Sequence, residues 1–122
     1  MRVLPTEQLI FCDVDETLIA WGKIKKHHRA IAYTCPYTKA QLMVRVHEPN
    51  LAIVLERLSR GATIIVWSAS GWKKAAAVCR ALNLHHPKLI VTSKPVGYLD
   101  DKPCEDWMGQ RIYLDPDSHY GK

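Results

Sequence analysis

The sequence predicts an α/β fold: a three-layer sandwich around a mostly parallel, five-stranded sheet of Rossmann-like topology. Three observations predict it. Short continuous apolar runs occur at residues 9–12 (LIFC), 62–67 (ATIIVW) and 89–92 (LIVT), the pattern of strands buried on both faces. Stretches of helical period stand between them. Each apolar run also stops abruptly in polar residues, and in parallel sheets ligands bind just beyond the carboxyl ends of the strands.

The first run ends in Asp13, Val14, Asp15, Glu16 and Thr17. Residues 19–47 read as an irregular basic loop, with a small hairpin around 41–46. A helix follows over 49–60: Pro49 suits a first-turn position, and Leu51, Val54, Leu55 and Leu58 fall on one face. Gly61 closes it. After the strand at 62–67 and the turn Ser68, Ala69, Ser70, Gly71, a second helix covers 72–82, with its apolar positions at 72, 75, 78, 79 and 82. The third strand stops at Ser93, Lys94 and Pro95. Residues 96–99 read as a fourth strand ending at Asp100 and Asp101, 104–108 as a short helix before Gly109, and 111–114 as a fifth strand.

A chain of 122 residues supports one domain, 1–122. No apolar run approaches the roughly 18 residues of a membrane-spanning helix, and residues 1–8 do not read as a secretory signal. Cys12, Cys35, Cys79 and Cys104 are far apart; they predict reduced thiols and a cytoplasmic location, with Cys12 and Cys79 as small buried hydrophobes. The formal charge of +5 is unevenly spread: no acid lies between Glu16 and Glu48, while Lys23, Lys25, Lys26, Arg29, Lys39 and Arg45 do. That is either a solvated face or a positive rim that attracts an anionic substrate. Trp21, Tyr33 and Tyr37 in this segment either pack or stack on a base.

Asp13, Asp15, Ser68, Lys94, Asp100 and Asp101 all fall just past strand ends. Two carboxylates two residues apart repel unless a cation bridges them or one holds a proton, and Mg2+ is a hard cation suited to carboxylates and phosphate. Ser68 can hold an anion or cap a helix; Lys94 can neutralise carboxylate and phosphate charge.

The stretch Phe11, Cys12, Asp13, Val14, Asp15, Glu16, Thr17, Leu18 resembles the first motif of the haloacid dehalogenase-like (HAD) hydrolase superfamily. Residues 64–68 resemble its second motif, Lys94 its third and Asp100 with Asp101 its fourth. The whole is similar to short, minimally capped phosphatases encoded by bacteriophages. The resemblance implies a Mg2+-dependent phosphomonoesterase. In it Asp13 is the nucleophile, Asp15 the general acid and base, Ser68 a phosphoryl ligand and Lys94 the charge-steadying cation. Asp13, the main-chain carbonyl of Asp15, and Asp100 with Asp101 hold the metal. A nucleotide or a nucleic-acid terminal phosphate is the expected substrate, and the open site suits large substrates or closure by a dimer partner. Only five residues separate Lys94 from Asp100, short for a parallel crossover, so Asp115 and Asp117 compete as the acidic motif. The other functional class is a phosphate- or nucleic-acid-binding module that has lost turnover.

Overall fold

The structure, a computed structural model, describes Leu4 and residues 7–113. In chain order these form β1 (Leu9–Asp13), β2 (Ile19–Ala20), β3 (Ala30–Thr34), β4 (Gln41–Val46), α1 (Glu48–Ser59), β5 (Thr63–Ser68), α2 (Trp72–Ala81) and β6 (Leu89–Ser93), followed by a 3-10 turn at Cys104–Asp106.

Two three-stranded sheets replace the expected five-stranded one. The first is parallel, in the order β1-β5-β6, with Asp13 opposite Trp67 and Ser68 opposite Ser93. The second is antiparallel, in the order β2-β4-β3. Residues 19–47 are therefore a sheet rather than a loop or small hairpin. The sequence of β4 carries one of the reasons: Val44 and Val46 alternate inward and are buried, and β-branched residues fit that pleated, half-buried surface.

Residues 96–99 form no strand. Val96 and Leu99 are fully exposed, because the short link after Lys94 cannot return the chain beside β6. The expected helix at 104–108 is reduced to the 3-10 turn. Arg111, Ile112 and Tyr113 form no strand, and Leu114 lies outside the described residues.

Both connections of the parallel sheet step the same way along β1-β5-β6, and right-handed crossovers then put α1 and α2 on one face. Ile64, Val66 and Ser68 of β5 point inward and are buried. The opposite face keeps Leu9 and Ile90 about half exposed, at 52% and 49%, and stacks Phe11 on Trp67, with ring centroids 4.1 Å apart. Among the described residues this sheet thus has one helical layer, not two, and β1 is buried on one face only.

Helix α1 starts as its sequence requires. His47 is the N-cap, its ring nitrogen accepting from the Asn50 N–H at 3.3 Å, and Pro49 sits in the first turn. Gly61 leaves the helix at φ 95°, a backbone angle that favours glycine. Leu51, Val54 and Leu58 are buried, whereas Leu55 is 51% exposed. Each buried member contributes roughly 1.5–3 kcal/mol by removal from water. Helix α2 buries Ala75, Val78 and Cys79, and Leu82 just beyond it is buried too, but Trp72 is exposed. One hydrophobic cluster joins both sheets and both helices, running from Tyr33, Val44 and Val46 through Leu18 and Val66 to Leu58 and Val78.

All four cysteines are free thiols. Burial pushes the Cys12 thiol up to about 12, with lesser contributions from Cys79 and Asp13, and pushes Cys79 up to about 11. The unfolded chain releases these protons near 9.0 while the folded chain keeps them. The folded state then binds more protons, so stability falls as pH rises through this interval. The expected outcome is a urea midpoint lower at about pH 11 than at about pH 8, with most of the difference removed in a Cys12→Ala, Cys79→Ala protein.

Candidate active site

The acid loop is built on two buried side chains. Val14 and Leu18 are completely buried, and the Val14 carbonyl accepts from the N–H groups of Thr17, Leu18 and Ile19 at 3.2, 2.9 and 3.2 Å. Anchoring Val14 in the core leaves its neighbours Asp13 and Asp15 partly exposed at the end of β1. Glu16 takes a left-handed φ of 60°, which turns the chain back, and its carboxylate accepts from the Trp21 N–H. Thr17 is tied through its carbonyl, which accepts from Asn50 Nδ2 at 3.1 Å.

Asp13 and Lys94 meet across the sheet: Lys94 Nζ lies 3.9 Å from Asp13 Oδ1. Lys94 is brought there by β6, whose last residue pairs with Ser68, and its N–H donates to the Ser68 carbonyl at 2.9 Å. Ser68 itself is buried, and its Oγ accepts from the Ser70 N–H at 3.0 Å. The hydroxyl keeps its own proton to donate. Asp13, Ser68 and Lys94 therefore stand at adjoining strand ends, with the Asp13 and Lys94 side chains facing each other.

The turn after β5 is fixed from two sides. Ser93 Oγ accepts from the Trp72 N–H at 2.9 Å, standing in for the side-chain cap that Gly71 lacks. Tyr37 OH donates to the Ser70 carbonyl at 2.5 Å, which ties the antiparallel sheet to this turn. Gly71 has φ 105°, and a Cβ there would lie 2.7 Å from Tyr37 OH.

Asp15 has partners that the sequence reading did not assign. Lys74 Nζ donates to Oδ1 and Oδ2 at 2.7 and 2.9 Å, and Trp21 Nε1 donates to Oδ1 at 2.7 Å. Trp21 thus binds a carboxylate and meets Tyr33 edge-on at 6.3 Å. Tyr33 is buried in the core and does not offer a face to a base; burial first, then Cys35 and the nearby Asp15 charge, push its hydroxyl up to about 12. One signal for Lys74 was present in the sequence. The first turn of α2 carries Lys73 and Lys74 with no acid, which opposes the helix dipole and calls for an anion nearby.

Asp100 and Asp101 are exposed in the link that follows β6. Asp100 Oδ1 accepts from the Lys102 N–H in a local turn. Among the described residues no three His, Cys, Asp or Glu side chains stand together as a metal site. Asp115 and Asp117 lie outside the described residues. The donors that do suit Mg2+ are hard oxygens, the Asp13 carboxylate and the Asp15 carbonyl; such an ion commonly takes one or two carboxylates and fills its shell with water and phosphate.

Residues 8–101 match the family model of the NLI interacting factor-like phosphatases. The chain belongs to that family. The NLI interacting factor-like phosphatases are members of the HAD-like superfamily, so the resemblance carried by Asp13, Asp15, Ser68 and Lys94 is to the right superfamily. The matched span holds both sheets, both helices and the adjoining strand ends. No curated protein and no solved structure matches the chain. Among the described residues no helix is long and apolar enough to cross a membrane.

Proposed function

We propose that this member of the NLI interacting factor-like phosphatases is a Mg2+-dependent phosphomonoesterase working through an aspartyl-phosphate. The observation that carries the reading is the meeting of Asp13 and Lys94, beside the strand end that carries Ser68, in a chain of a phosphatase family. An Asp13 oxygen attacks phosphorus in line, and the bond from phosphorus to the leaving oxygen breaks. Asp15 delivers a proton to that oxygen, then takes one from the water that attacks the aspartyl-phosphate, which frees phosphate and restores Asp13. Ser68 donates to a phosphoryl oxygen and Lys94 offsets charge on nucleophile and phosphate. Bound Mg2+ supplies further charge neutralisation. The Asp13 carboxylate and the Asp15 carbonyl would hold it, and Asp100 or Asp101 is the candidate for an added carboxylate.

The substrate in this reading is a nucleotide or a nucleic-acid terminal phosphate met in the cytoplasm. Its support is the run of exposed cations Lys23, Lys25 and Lys26 between β2 and β3, which raises the local concentration of anions.

The test is phosphate release from mononucleotides, sugar phosphates and 3′- or 5′-phosphorylated oligonucleotides. The expected outcome is release with Mg2+, none with EDTA, and recovery when Mg2+ is restored. A folded protein that releases phosphate from no substrate would sink the catalytic reading and leave a phosphate-binding module. Asp100→Asn is expected to raise the Mg2+ concentration needed for half-maximal release. An unchanged requirement would remove Asp100 from the metal shell.

A further inference from the structure

We infer that Lys74 and Trp21 are positioning residues that fix the Asp15 carboxylate for proton transfer and leave Oδ2 as the oxygen that carries the proton. This rests on the reading of Asp15 as general acid and base given above. Three hydrogen bonds from two side chains hold this one carboxylate: Lys74 to both oxygens, at 2.7 and 2.9 Å, and the indole N–H to Oδ1 at 2.7 Å. Each carboxylate oxygen offers about two lone pairs. Among the described residues Oδ1 accepts two hydrogen bonds and Oδ2 one, from Lys74, which leaves Oδ2 a lone pair for a proton.

The three groups also hold one another. Lys74 Nζ lies 5.3 Å from the centre of the Trp21 ring, within the range of a cation–π contact. The Lys74 side chain is only 14% exposed, against 34% for Asp15, so the pair is less screened than a surface ion pair. The partners come from different elements: Asp15 from the acid loop, Trp21 from the chain just after β2, Lys74 from the first turn of α2. A carboxylate tied to two other segments keeps its rotamer, and misplacement of a catalytic group by about 1 Å can cost on the order of 100-fold. Lys94 is not a substitute, since its ammonium is directed to Asp13.

The experiment uses the dependence of kcat/KM on the leaving group. Proton delivery matters for a poor leaving group such as an alkyl phosphate and little for 2,4-dinitrophenyl phosphate, whose anion departs unaided. Lys74→Met is expected to lose about 10- to 100-fold on the alkyl ester and less than about 3-fold on the dinitrophenyl ester, a part of the 10²–10⁴ that general acid catalysis supplies. Lys74→Arg should recover part of the loss. Trp21→Phe, which keeps an aromatic ring and removes the N–H, should show the same selective loss in smaller degree and serves if Lys74→Met does not fold. Asp15→Asn is measured alongside. A selective loss in Asp15→Asn with an equal loss on both esters in Lys74→Met and Trp21→Phe would overturn the inference while leaving the acid–base role intact. An equal loss on both esters in Asp15→Asn would overturn that role itself.

Discussion

Asp13→Asn is expected to lower phosphate release by at least about a thousandfold, the scale on which removal of a covalent nucleophile acts, with the fold unchanged. The amide has the shape of the carboxylate but no charge to attack phosphorus. Folding should survive because Asp13 contributes little to stability: its side chain is 38% exposed and its ion pair with Lys94 spans 3.9 Å. Such a pair is worth at most about 1 kcal/mol. The measurement is steady-state release from a responsive substrate, with circular dichroism and a urea titration of both proteins. A variant that keeps a tenth of the activity would place the nucleophile elsewhere. A protein that loses its fold would show Asp13 to be structural, contrary to its exposure.

The largest expected effect on stability comes from Leu18→Ala. Leu18 is completely buried, its N–H donates to the Val14 carbonyl, and its carbonyl accepts from the His47 N–H at 2.9 Å. It therefore links the acid loop, the antiparallel sheet and the start of α1. Truncating a buried leucine costs about 2–5 kcal/mol, lost transfer energy plus the cavity left behind. Against a total of about 5–15 kcal/mol this brings the protein close to unfolding, with a fall in Tm on the order of 10 °C or more. Activity should fall with it, since the turn that holds Asp15 rests on this side chain. Leu55→Ala is the comparison: it lies on the same predicted helical stripe as Leu51 and Leu58 but is 51% exposed, and its cost should stay near 0.5 kcal/mol. Equal costs for the two leucines would contradict this difference in burial.

Local and short-range signals are legible in the sequence. The apolar runs gave β1, β5 and β6 within a residue or two, and the helical stripes gave α1 and α2. Gly61 and Pro49 marked ends because their backbones allow few alternatives. What failed was pairing. Residues 19–47 carry weak alternation, and β2 is two residues long. Only its register with β4, Ile19 opposite Val46 and Ala20 opposite Arg45, makes it a strand. Residues 96–99 look like a strand in composition, yet pair with no strand among the described residues, and an unpaired run is not a strand.

The carboxylate pair shows the same division. By itself the sequence determined that Asp13 and Asp15 stand at the end of an apolar strand, that Ser68 and Lys94 stand at the ends of the next two, and that the chain carries the mark of a phosphatase superfamily. Position along the chain suffices for that, because strand ends are set by local hydrophobicity. Only the tertiary structure decided that Asp13 faces Lys94 while Asp15 is held by Lys74 and Trp21. The partners of Asp15 come from residues 6 and 59 positions away. Which cation meets which carboxylate depends on how α2 docks on the sheet, a packing outcome that no local pattern encodes.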